Sequence, residues 1–126
     1  MRRILLSALF LVHFPVLAAG LACSIRPAKD TPVAALPTLA KISQSEAQKK
    51  ALARVKSRSA EVVSAELEVE HDCLVYSFDI RRAGKSGIEE IMVDAGTGRI
   101  VSQKHETAIQ EAAEKAKDKL TSRKAN

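Results

Sequence analysis

The chain has 126 residues, room for one domain beside a targeting segment. Its formal net charge is +5, and it carries three Phe, one Tyr and no Trp. A basic surface so poor in stacking residues argues against single-stranded nucleic acid as a partner. Attraction to anionic lipid or cell-wall polymer is the more natural use of such a charge.

Met1-Arg2-Arg3 is a short basic stretch, Ile4 to Ala18 is apolar, and Ala18-Ala19-Gly20-Leu21-Ala22 supplies the small residues that a signal peptidase requires. Pro15 breaks the apolar helix just ahead of that segment. Cleavage after Gly20 or after Ala22 satisfies the small-residue rule equally well. Residues 1–22 are therefore expected to be a signal peptide, and the protein to be exported to the periplasm or cell envelope, or secreted. Loss of Arg2 and Arg3 leaves a net charge of +3, with 18 basic against 15 acidic residues. Two alternatives would attach the chain to a membrane. Cys23 is placed to be a lipoprotein cysteine, although Gly20 and Leu21 stand where such signals usually carry Leu and then a small residue. An uncleaved anchor from Ile4 to Cys23 would have 20 residues, about the bilayer requirement, but His13 and Pro15 interrupt it.

From Ser24 to Lys41, Pro27, Pro32 and Pro37 predict an extended, semi-stiff tether, so that residues 23–41 read as a linker. An exported chain tolerates a disulfide. Spacing alone does not establish one between Cys23 and Cys73, and the bond would require the tether to fold back. Two unpaired cysteines are the expectation.

The domain proper is expected over residues 42–105. Ser43 and Glu46 form a capping box, with Ile42 and Ala47 as its hydrophobic staple. Ala47, Ala51, Leu52 and Val55 then share one helical face, and the helix should fade near Ser57 to Ser59. Two alternating segments follow. Val63, Ala65, Leu67 and Val69 are apolar between Ser64, Glu66, Glu68 and Glu70, and Leu74, Tyr76, Phe78 and Ile80 repeat the pattern. A period of two marks strands with one buried and one wet face. If His71-Asp72 is the turn, Val69 faces Leu74, Leu67 faces Tyr76, Ala65 faces Phe78 and Val63 faces Ile80. The second face would carry Glu66, Glu68, Val75, Asp79 and Arg81 and be largely wet. A loop at Ala83-Gly84-Lys85-Ser86-Gly87 leads to a third strand with Ile91 and Val93. Asp94 to Gly98 turns the chain into a fourth strand at Ile100. Asp94 is placed to accept from backbone N–H groups ahead of it, the two glycines to supply positive φ, and Asp94 to lie opposite Arg99 as an exposed pair. Thr107 and Gln110 open a C-terminal helix to about Leu120, its apolar side mostly alanine, so that residues 106–126 form a loosely docked helix and basic tail.

The fold class is thus α+β: an N-terminal helix packed on a four-stranded antiparallel sheet, with a C-terminal helix. No nucleophile elbow, phosphate loop or zinc-helix motif occurs, and no catalytic residue or cofactor is expected. His71-Asp72-Cys73 is the one cluster with metal-binding residue types, but a third ligand would have to come from Cys23, His105 or another molecule. His71 and Asp72 read as turn residues tolerant of a left-handed backbone, and no metal site is expected. Glu66, Glu68 and Glu70 mark a solvated strand face, and Lys49, Lys50 and Arg54 a solvated helix face.

The opening Ile-Ser-x-x-Glu-Ala (Ile42, Ser43, Glu46, Ala47), Tyr76 in the second strand, and Val-Asp-Ala-x-Thr-Gly (Val93, Asp94, Ala95, Thr97, Gly98) resemble, in order and spacing, the PepSY domain. Two positions depart from the family pattern. His71-Asp72 replaces a turn that often contains Gly, and Glu89 stands where an aromatic is common. The resemblance implies a non-catalytic module of protease pro-regions and envelope proteins, acting as inhibitor, chaperone or regulator of a peptidase or other envelope enzyme. The alternative is an adhesion or structural protein held to an anionic envelope surface by Arg54, Lys56, Arg58 and the basic C-terminus. For a strand-adding partner, the outer strand Val62 to Glu70 is the better edge, and a proline at Glu66 would block it if that N–H faces outward.

Overall fold

The computed structural model describes residues 22–124. The expected signal segment lies outside them except for Ala22, and so does the anchor alternative except for Ala22 and Cys23. In chain order the elements are a 3-10 turn (Val33–Ala35), α1 (Leu36–Leu39), α2 (Gln44–Val55), β1 (Ala60–Glu70), β2 (Cys73–Arg82), β3 (Ile88–Asp94), β4 (Ile100–Glu106) and α3 (Ala108–Lys124). The strands form one antiparallel sheet in the order β1-β2-β3-β4, which is the expected α+β architecture.

Local chemistry accounts for most of these elements. Ser43 Oγ accepts from the Glu46 N–H at 3.2 Å, and Glu46 Oε2 accepts from the Ser43 N–H at 3.1 Å, closing the capping box of α2. The carboxylate accepts from both the N–H and the hydroxyl of Ser43, which favours its ionised form and holds Glu46 below the ordinary carboxylate range. Lys56 ends the helix in a left-handed conformation. His71 and Asp72 have φ of 48° and 63°, the primed-turn geometry that matches strand twist in a two-residue hairpin. The expected pairs Val69↔Leu74, Leu67↔Tyr76 and Ala65↔Phe78 all form. Val63 does not face Ile80: a bulge there hands that place to Val62 and leaves Val63 exposed. Two adjacent valines satisfy either phase of the alternation, and the bulge selects the first for the core.

The core lies between the sheet and α2. Phe78, Leu74, Ile80, Ile91 and Val93 are fully buried, against Ala47, Ala51 and Val55 of α2. Each of the large side chains contributes roughly 1.5–3 kcal/mol by leaving water. The alanines let the helix backbone approach the sheet closely. Across the sheet, Glu66 is exposed and Asp79 half-buried, but Val75 is completely buried, contrary to a wet face at that point. It sits between its cross-strand partners Glu68 and Asp94 and next to the wholly buried Cys73.

The stretch expected to be a tether is packed. Leu36 is 3 % exposed and belongs to the core, with Ile25 and Ala40 packed beside it. Pro32 caps the 3-10 turn and Pro37 lies in the first turn of α1, so these prolines start turns instead of stretching the chain. The cysteines are joined, Cys23 to Cys73, across a separation of 50 residues. At the other end of the chain, Thr107 and Gln110 close the expected capping box, and α3 continues to Lys124, beyond the expected Leu120. Its Ile109 and Leu120 stay exposed, since an alanine face offers little area to bury.

Candidate functional site

The family-type residues converge on one end of the domain, and there they build structure. Tyr76 donates its hydroxyl to the Ile42 carbonyl at 3.0 Å, tying β2 to the start of α2, and burial raises that phenol above its ordinary value. The Ala95 carbonyl accepts from the N–H groups of Lys41 and Ile42 at 2.9 and 3.2 Å, and Ala95 N–H donates to the Leu74 carbonyl. Asp94, only 2 % exposed, anchors the turn, its Oδ1 accepting from the Gly96 and Thr97 N–H groups at 2.7 and 2.8 Å. The same carboxylate accepts from Ser24, through Oγ at 2.6 Å and N–H at 2.5 Å. Burial by itself would raise the Asp94 pKa. The hydrogen bonds from Ser24, Thr97 and Gly96 together outweigh it and hold the group below the ordinary range. Asp94 is therefore not half of an exposed pair with Arg99. Backbone bonds alone set that register, Asp94 N–H donating to the Arg99 carbonyl at 2.8 Å.

The two glycines of this turn have different reasons. Gly98 has a φ of +74°, whereas a Cβ on Gly96 would strike Ser24 Oγ and crowd Ile25. Small size at Gly96 thus admits the N-terminal segment. That segment is tied to β2 past the end of β3 by one backbone bond: Ile25 accepts from the Leu74 N–H at 3.0 Å. Ser24 and Ile25 were invisible to sequence reasoning, because their partners lie about seventy and fifty residues away and no local pattern announces them. In the disulfide the sulfurs of Cys23 and Cys73 are bonded to each other, so neither cysteine carries a free thiol in this structure. His71 lies 3.0 Å from the neighbouring Glu70.

Opposite the motif end, Glu89 replaces an apolar or aromatic side chain on the helix-facing side of β3. It is 7 % exposed, with Arg82 Nη2 at 2.5 Å, His105 Nδ1 at 3.0 Å and Gln103 Nε2 at 3.5 Å. Gln103 in turn accepts from Arg54 of α2 at 2.7 Å. This polar seal closes the end of the core that the motif does not reach. The alternation did place Arg82 and Glu89 on the core face, which is the signal that would have found it.

The outer side of β1 is where the fold leaves bonding capacity unused. In a two-residue hairpin the flanking residues, Glu70 and Cys73, exchange both backbone hydrogen bonds. Strand geometry then turns the N–H and C=O groups of Glu68, Glu66 and Ser64 inward, toward Val75, Ser77 and Asp79. Those of Val69, Leu67 and Ala65 point away from β2. The partner side agrees: Leu74, opposite Val69, sends its N–H to Ile25 and receives Ala95 N–H, both on its far side. Glu66 was thus the wrong position for a blocking proline; Ala65 or Val69 is the right one. Beside this edge runs a groove of about 390 Å³ between β1 and the N-terminal segment, its walls including Pro27, Val33, Leu36, Leu67 and Val69.

No curated protein and no solved structure matches the chain. A family model does, over residues 41–104, and its description is peptidase propeptide and YPEB domain. Domains of that kind are commonly propeptide-like or regulatory, are generally non-catalytic, and are typically found in exported proteins. With the sheet order, the α2 capping box and the Asp94 turn all in place over the matched half, the chain belongs to the PepSY family.

Proposed function

We propose that this protein is a non-catalytic, exported binding module that restrains or regulates an envelope peptidase or another envelope enzyme, and that it engages its partner by strand addition at β1. The observation that carries the reading is the free edge itself. An eleven-residue outer strand presents the backbone groups of Ala65, Leu67 and Val69 outward beside a groove with apolar walls. Family membership supports the regulatory role. The residues that match the family motif hold α2, β2 and the Asp94 turn together, which supports a structural role for them.

The test is capture from envelope extract with immobilised protein, followed by mass-spectrometric identification. Wild type should retain a partner at physiological salt, and Ala65→Pro should lose it. A proline whose missing N–H pointed outward leaves the ladder to β2 intact, and thermal melting verifies the fold. Val69→Pro, at an exposed position, serves if Ala65→Pro melts early. Undiminished capture by a folded proline variant would overturn β1 docking. Capture that vanishes between low and physiological salt would point instead to adhesion through Arg54, Lys56 and Arg58.

A further inference from the structure

We infer that the segment docking at β1 is an extended peptide in which basic and apolar residues alternate. This deepens the strand-addition reading and rests on it. A strand added to an edge sends successive side chains to opposite faces of the sheet. On one face its side chains would lie beside Leu67 and Val69 and enter the groove toward Leu36 and Val33. On the other they would lie beside Glu66, Glu68 and Glu70, which share the second face of β1 and line a cleft whose six carboxylates, with Asp79, Glu90 and Glu106, outnumber its two lysines, Lys104 and Lys115. Cross-strand neighbours of opposite charge favour pairing and like charges oppose it.

Lys104 pairs with Glu106 within that cleft, while the carboxylates along β1 repel one another. Glu68 titrates above the ordinary range, chiefly because it is partly buried, with Glu66, Glu70 and Asp79 adding repulsion. A lysine or arginine on an added strand would relieve that repulsion. The same row of glutamates disfavours a second copy as occupant. Two β1 strands paired antiparallel about a two-fold axis would set one glutamate row against the other. The edge is thus guarded against itself and selective for a basic partner.

The experiment uses three capped octapeptides with the full exported chain: alternating Lys-Val, alternating Glu-Val, and a block of four Lys followed by four Val. Binding is read from the amide resonances of Ala65, Leu67 and Val69. The Lys-Val peptide should perturb them and bind about tenfold more tightly than Glu-Val, the size expected for a few exposed charge pairs. Glu66→Lys/Glu68→Lys should reverse that order. Equal binding of both alternating peptides, abolished in each case by Ala65→Pro, would overturn the charge selection while leaving edge docking in place. Equal binding of the block peptide would overturn the alternation. If no peptide perturbs those amides, the inference falls, and capture with Ala65→Pro judges the docking reading separately.

Discussion

Removing the Cys23–Cys73 bond should take away about half of the stability of this domain. Cross-linking residues 50 apart restricts the unfolded chain, and the chain-entropy relation gives about 4 kcal/mol at 25 °C for a loop of that length. A domain this small has a total of only about 5–10 kcal/mol. Urea titration of wild type and of Cys23→Ala/Cys73→Ala measures the difference. Tyr76 fluorescence is a suitable probe, since it is the single tyrosine and its hydroxyl reports the Ile42 contact. Cys73 is fully buried, so its truncation adds a packing loss of about 1 kcal/mol, which comparison with the reduced wild type separates. The variant's m-value should also rise, because the freed unfolded chain exposes more surface. A loss below about 1 kcal/mol with an unchanged m-value would refute the reasoning, by showing that the bond does not constrain the unfolded chain.

Asp94→Ala should cost about 3 kcal/mol, since it orphans donors from Ser24, Gly96 and Thr97 at one buried site. The native carboxyl of Asp94 is depressed, so its contribution is complete above the unfolded value of about 3.9 and is lost as pH falls through the lower folded value; denaturant melts across that acid range should show this step in wild type and not in the variant. Phe78→Asp should unfold the domain by burying an unpaired charge, whereas Glu68→Ala should change the melting midpoint little; equal effects would reject the face assignment. Gly98→Ala should destabilise by about 1–2 kcal/mol, because φ is +74° there and the new Cβ would crowd Lys50 and Ile42, and chemical denaturation reads it directly. Intact-mass measurement of envelope protein should find a chain beginning at Leu21 or Cys23, and a mass retaining residues 1–20 would exclude cleavage.

Local signals were legible wherever bonding partners are close in sequence. The Ser43–Glu46 and Thr107–Gln110 boxes, the His71-Asp72 turn and the three strand pairs up to Ala65↔Phe78 follow from contacts within one turn or one hairpin. Reading failed where the partner is distant or the pattern is degenerate. Val62 and Val63 fit the alternation equally well, so the bulge had no signature. The prolines of the N-terminal segment read as stiffness, because nothing near them reveals that Ser24 fits over Gly96 or that Leu36 enters the core. Of the candidate site, the edge strand was legible from strand order, but the direction of each N–H needed the observed hairpin.

The disulfide and the proposed docking edge are mechanically one arrangement. The groove beside β1 has two walls, β1 and the segment that starts at Cys23, and the bond to Cys73 fixes that segment immediately after the hairpin turn that ends β1. Ser24 on Asp94 and Ile25 on Leu74 aim the chain as it leaves the bond, and Leu36 in the core holds its far end. A groove held at both ends spares an incoming strand the cost of ordering its walls, and such preorganisation raises affinity without adding contacts. The matched family region begins at residue 41 and includes one wall only. Partner selectivity at this edge should therefore belong to the N-terminal segment as much as to the family domain.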